Sequence, residues 1–226
     1  IWLREVRGSR VELHYPPDSH VARFIEKMGF PQLLGQNAIQ QGELDSKVFP
    51  LRRFSENKEI PGIASGLSDM LAIDDIEMEG AVRYSLVELL RNVIQHSRSR
   101  IGGLVSAVYF PKSGLVDIVV CDIGCGLTAS LSNAYPEINA AHKAVRFAIL
   151  PHVSGTFRSG EYQTMKDNAG LGLFFIKEIA ALSQGGFFLG SGNVVADIWG
   201  NADGSLGKKY VQSKTGGWRG TFALLQ

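Results

Sequence analysis

Glu88, Asn92 and His96 stand at four-residue steps, so on a helix all three project from one face. A carboxylate on such a face can orient and deprotonate a water or a hydroxyl group. An amide oxygen one turn further on can ligate a hard cation such as Mg2+, which prefers oxygen donors and bridges phosphates. The same residues also suit a solvated helix face. Asp122 follows an apolar run and precedes Gly124 and Gly126. Buried beside a purine, its carboxylate can accept a hydrogen bond from the amino group of adenine, and the glycines allow close backbone approach. A tight strand-to-helix turn uses the same residue types. Gly170, Leu171 and Gly172 stand where a loop enters a helix, a place where free amides and the positive dipole end can hold phosphate. There the glycines can equally just ease a helix start. No Lys-Ser/Thr follows them as in a GxxxxGK[ST] phosphate loop, and no strand leads into them as in a dinucleotide-binding fingerprint.

Each of these groups needs an element to hold it. Residues 74–97 carry a helical pattern, with Val82, Leu86, Leu89, Leu90 and Val93 recurring at three- and four-residue steps. Residues 104–110 and 115–121 are β-rich runs joined by Pro111-Lys112-Ser113-Gly114, which reads as a hairpin. Helices are expected over residues 140–150 and 171–183, the latter closed by Gly185 and Gly186. Strands are expected near residues 187–189, 194–199, 209–212 and 221–225. Upstream, alternation over residues 10–15 suggests a strand. Asp18 or Ser19 then caps a helix with Val21, Phe24, Ile25 and Met28 on one face, ended by Gly29. Residues 30–47 read as a polar linker and residues 48–54 as an edge strand whose pairing Pro50 limits.

The remaining composition mostly excludes. The 226 residues are 45% hydrophobic and 20% charged, ordinary globular values. With 23 basic and 22 acidic residues, nothing points to nucleic acid or an anionic membrane as the main partner. No apolar run approaches the ~20 residues of a membrane span, and no signal peptide is visible at Ile1. Cys121 and Cys125 lack the further ligands of a metal site. So low a cysteine count suits a reducing, cytoplasmic setting. The chain opens without an initiator methionine, and an upstream domain is expected.

Taken in order, Glu88 to His96, Asp122 to Gly126 and Gly170 to Leu173 resemble the three motifs of the Bergerat-fold ATPases. That group comprises gyrase-type topoisomerases, heat-shock chaperones, histidine kinases and the mismatch-repair MutL proteins. The likeness covers about residues 75–226. It implies an α+β fold, a two-layer α/β sandwich whose mixed, mostly antiparallel sheet is covered on one face by helices. It implies ATP and Mg2+ as ligands, Asn92 as the metal ligand and Glu88 as the catalytic base. Asp122 would bond the adenine amino group above a floor shaped by Gly124 and Gly126. Gly170, Leu171 and Gly172 would lie at the phosphates, and Thr221 would reach adenine.

The helix after Gly172 looks most like the sensor-kinase branch, whereas Glu88 and the His96 ending look more like anti-sigma-factor serine kinases. No other histidine lies in a long dimerising helix, and no transducer domain supplies a lysine to a terminal phosphate. The expected division is an appendage over residues 1–60, faintly similar to the tail of a STAS-like segment, and a nucleotide-binding domain over residues 61–226. Its lid would span about residues 127–169 and carry Arg158 and Lys166. The activity implied is slow ATP hydrolysis or phosphotransfer to a protein partner in a regulatory system, with a homodimer as one assembly. The alternative is a nucleotide-sensing interaction module that performs no chemistry.

Overall fold

The hairpin residues alternate so that one face of the strands is apolar, and the sheet is built on that face. The computed structural model describes residues 7–36, 47–71, 73–153 and 171–226. Seven strands form one sheet: β1 (Lys47–Phe54), β2 (Gly103–Phe110), β3 (Leu115–Asp122), β4 (Gly186–Gly192), β5 (Val194–Gly200), β6 (Leu206–Gln212) and β7 (Trp218–Leu225), in the order β1-β2-β3-β7-β4-β5-β6. Across it, Val105 faces Val120, Val120 faces Ala223, Ala223 faces Leu189 and Leu189 faces Ala196. Ala107, Ile118, Leu225, Phe187 and Ile198 form the parallel row, and every member of both rows is buried. Fully burying a side chain of this size contributes about 1.5–3 kcal/mol, so these two rows and the helices laid on them dominate the fold energetically.

Among the described residues seven α-helices accompany the sheet: α1 (Ser19–Lys27), α2 (Phe30–Leu33), α3 (Ile60–Leu71), α4 (Ile76–His96), α5 (Gly126–Leu131), α6 (Ala141–Ala148) and α7 (Gly172–Leu182). Ile63 and Leu67 of α3, Leu86 and Leu90 of α4, Val145 of α6 and Ile176 of α7 join the same core as the sheet's apolar rows. Asp75 caps α4 by accepting from the Met78 amide at 2.8 Å. Asp18 caps α1 through bonds from the His20 and Val21 amides. The α+β architecture, the hairpin, α1, α4, α6, α7 and the edge position of β1 follow the sequence patterns. At Pro50 the β1 register does shift, between Phe49 and Arg52.

Several expectations are corrected. Every strand pair is antiparallel, so the sheet is not mixed. The reason is topological: β7 returns into the slot between β3 and β4, which run the same way, and pairs antiparallel with both. Residues 10–15 form no strand, and no strand among the described residues pairs with them. On α1 the buried positions are Ala22 and Glu26 rather than Val21, which is 46% exposed. The α1 cap residue Met28 reaches the opposite face of the sheet, where the Ser106 hydroxyl meets the Met28 sulfur at 4.0 Å, and α2 packs on β1. Helices therefore touch both faces near β1 and β2, and β1 itself lies in the main sheet.

Three helices have no counterpart in the sequence patterns, and one of them, α2 with Pro31 near its start, falls in the stretch read as a linker. For α3 the pattern was present, since Ile60, Ile63, Ala64 and Leu67 recur at helical spacing behind a capping box of Glu56 and Glu59. For α5 six residues leave no periodicity to read. The expected lid is thus partly helical, through α5 and α6. Arg158, Lys166 and Gly170 lie outside the described residues. No helix among the described residues is long and apolar enough to cross a membrane.

Candidate functional site

Four separate stretches of chain meet at one cleft. Glu88, Asn92 and His96 of α4 form one wall, Asp122 at the end of β3 and Thr221 of β7 lie on the sheet side, and Gly126 and Gly172 stand at the starts of α5 and α7. The space between them is about 890 Å³, open solvent at the mouth included. Val120, Leu131, Leu189 and Ala223 furnish apolar lining around these few polar groups. Small-molecule sites have this character, mostly apolar with a small number of convergent polar atoms.

Asp122 is the most constrained member. It is 4% exposed, and its Oδ1 accepts the Gly124 amide at 2.6 Å. Burial raises its carboxyl above the ordinary aspartate value, while the amides of Gly124 and Thr221 pull it partly back. The Trp218 indole N–H donates to the Asp122 carbonyl at 2.8 Å. Gly220 has φ +105°, and a Cβ there would stand 2.3 Å from the same carbonyl oxygen, so this crossing of β7 over β3 requires glycine.

The turn that follows Asp122 is braced on both sides. The Cys125 amide donates to the Ser97 carbonyl at 2.7 Å, and a Cβ on Gly124 would sit 1.9 Å from that oxygen. Ser191, buried on β4, donates to the Gly220 carbonyl at 2.8 Å and accepts the Leu127 amide at 2.9 Å. Gly126, with φ +76°, packs directly against that hydroxyl. Ser191 was not anticipated from sequence, since an isolated strand serine carries no signal of its partners.

On the helix wall, Glu88 is 3% exposed and ion-paired with Arg91. Burial raises the Glu88 carboxyl above the ordinary glutamate value, and the Arg91 guanidinium opposes that rise. Arg91 was not singled out in the sequence, although its i,i+3 spacing from Glu88 is the available signal. Desolvation lowers the His96 imidazole, which favours its neutral form. The Cys125 thiol donates to the His96 carbonyl at 3.3 Å and so ties the turn to the end of α4.

Gly172 has a packing reason beyond any ligand. A Cβ at this position would lie 2.6 Å from the Glu88 Cβ and 3.8 Å from the Asn92 Nδ2. The start of α7 therefore rests on the two wall residues, and only glycine permits that approach. Gly172→Ala is expected to cost about 1–3 kcal/mol through overpacking and to displace Glu88 and Asn92. Thermal melting and ligand titration on one sample check this; an unchanged melting point would contradict the contact.

Of the residues expected to form a site, Glu88, Asn92, Asp122, Gly126, Gly172 and Thr221 line this cleft. Gly124 and Leu171 do not: Gly124 shapes the turn from behind, and Leu171 stands one residue before α7. Among the described residues no group of three His, Cys, Asp or Glu side chains could hold a metal ion. No protein-family model matches the chain, and no curated protein matches it.

Proposed function

We propose that the cleft binds an adenine nucleotide with Mg2+, and that the domain hydrolyses it slowly or passes its terminal phosphoryl group to a protein partner, in the manner of a Bergerat-fold ATPase. One observation carries this reading. Asp122, a buried carboxylate with an apolar surround, shares a cleft with the carboxylate–amide pair Glu88 and Asn92. In this reading Asp122 accepts from the adenine amino group, with Val120, Leu189 and Ala223 against the base. Asn92 offers one amide oxygen to the cation. Mg2+ keeps waters and phosphate oxygens as its other ligands, so a single protein oxygen is enough for it. When bound, the ion would neutralise charge on the transferring phosphoryl group.

Glu88 is the base. Its carboxylate takes a proton from the attacking water as that oxygen bonds the terminal phosphorus and the bridging P–O bond breaks towards ADP. In phosphotransfer a partner's hydroxyl or imidazole replaces the water. The ionised form of Glu88 is the active one, so turnover rises as pH passes upward through its raised pKa. Removing Arg91 removes the group that opposes the rise. Arg91→Gln is therefore expected to move the acid limb of the pH profile for phosphate release to higher pH. A limb in the same place would exclude Arg91 from setting the Glu88 proton affinity.

The Glu88–Arg91 ion pair also supports a second reading, in which the nucleotide is sensed without chemistry, because a carboxylate held by a guanidinium is a weaker base. Isothermal titration with ATP, ADP and GTP, with and without Mg2+, tests the binding common to both readings. Selective, Mg2+-dependent affinity for adenine nucleotides is expected; equal affinity for GTP would remove the role of Asp122. Phosphate release then separates the two readings.

A further inference from the structure

Ser191 does not line the cleft, yet its hydroxyl joins two of the segments that do. It stands directly across from Thr221 in the β4–β7 ladder, the next pair after Leu189 and Ala223 on the buried face of the sheet. The β4–β7 register shifts between Ser191 and Gly192, and at this irregularity the Gly220 carbonyl accepts the hydroxyl at 2.8 Å. The same hydroxyl oxygen accepts the Leu127 amide at 2.9 Å. Cys125, which precedes α5, makes no side-chain cap of its own, so Ser191 caps that helix from a strand 64 residues further along the chain. A Cβ on Gly126 would stand 2.8 Å from the Ser191 Oγ, and a Cβ on Gly220 would stand 2.7 Å from the Asp122 Oδ1. Asp122, Gly220, Ser191 and Leu127 thus form one continuous line of contacts.

We infer that Ser191 is a positioning residue for the base end of the cleft: its hydroxyl holds Thr221 and the start of α5 in fixed relation to Asp122, and so sets the preference for adenine over guanine. This role rests on the adenine-nucleotide reading. The hydroxyl donates to the Gly220 carbonyl and accepts the Leu127 amide, so Ser191 acts through its neighbours and not on the base. Gly220 immediately precedes Thr221, whose amide is one of the two that hold the Asp122 carboxylate. Loosening Gly220 therefore moves a donor on the carboxylate that reads the adenine amino group. Guanine carries a carbonyl oxygen at the corresponding place, which a carboxylate repels, so discrimination depends on the carboxylate being held still. Removing the hydroxyl would leave a buried carbonyl and a helix-start amide without their partner. The phosphate end is built separately, from Glu88 and Asn92 on α4 and Gly172 on α7, and Ser191 bonds to none of these.

The test is isothermal titration of the full chain with ATP and with GTP, each with Mg2+, for wild type, Ser191→Ala and Ser191→Thr. Amide hydrogen exchange of the free proteins is measured alongside. Ser191→Ala should lower the ratio of ATP to GTP affinity about tenfold, the scale of one neutral hydrogen bond, and should speed exchange of the Leu127 amide. Ser191→Thr keeps the hydroxyl and should return both towards wild type. Ile63→Val, a buried change on α3 outside the cleft lining, should lower the melting temperature without moving the ratio. An ATP preference that survives intact in Ser191→Ala overturns the inference alone. So does a Leu127 amide whose exchange is unchanged, or a threonine variant that behaves like alanine. A ratio that falls as far in Ile63→Val also overturns it, because general loosening is then the cause. No ATP preference in wild type defeats the nucleotide reading itself, and this role with it.

Discussion

Asp122→Asn is expected to weaken adenine-nucleotide binding by about 1.5–3 kcal/mol, roughly 10- to 100-fold, the worth of a hydrogen bond to a charged group. The same substitution should leave the fold at least as stable at neutral pH. Asparagine keeps the oxygen that accepts the Gly124 amide, so the turn retains its brace. What it loses is the acceptor facing the amino group, replaced by an amide that donates. The stability side follows from linkage. The Asp122 carboxyl is raised in the folded chain, chiefly by burial. A raised acid contributes its stability below the unfolded pKa and loses it as pH rises through the folded pKa. Asparagine has no charge to bury at any pH, so it is spared the desolvation that raises the Asp122 carboxyl. Isothermal titration and thermal melting of the two proteins decide the matter. Unchanged ATP affinity would withdraw the adenine-contact role, whereas a sharp fall in melting temperature would show that Asp122 chiefly holds the turn.

The second large effect concerns turnover. Glu88→Gln should lower phosphate release by on the order of 100-fold or more, the usual contribution of a positioned general base, with ATP affinity changed only a few-fold. Glutamine is nearly isosteric and can still accept from Arg91, so the α4 wall and its contact with Gly172 persist. Arg91 is 36% exposed at its side chain and can turn to solvent. Single-turnover phosphate release alongside nucleotide titration separates the outcomes. Equal rates in both proteins would end the case for Glu88 as base. No release above background in either would end the ATPase reading, leaving phosphotransfer to be examined with a protein acceptor.

How much of this was legible beforehand depends on the range of the interaction. The α4 wall was readable because Glu88, Asn92 and His96 share one helix, and a 3.6-residue period places them together whatever else the chain does. The end of β3 was readable because an apolar run followed by Asp122 and two glycines specifies a strand and a turn locally. The wholly antiparallel sheet was not readable. It depends on β7 entering between β3 and β4, and long-range pairing leaves no mark within either strand. That same insertion brings Trp218 and Gly220 onto Asp122 from 96 residues away in the case of Trp218, and sets the Gly220 carbonyl against the Ser191 hydroxyl. Gly172 shows the division within one residue. Its position at a helix start is local, but the closeness that would put a Cβ there 2.6 Å from the Glu88 Cβ exists only because α7 packs on α4. Residue type and spacing therefore singled out the groups proposed to do chemistry, since those are short-range properties of helix and turn. Which of them share a cleft, which one is ion-paired, and which serine braces them were decided by packing, because burial and charge proximity are properties of the assembled chain alone.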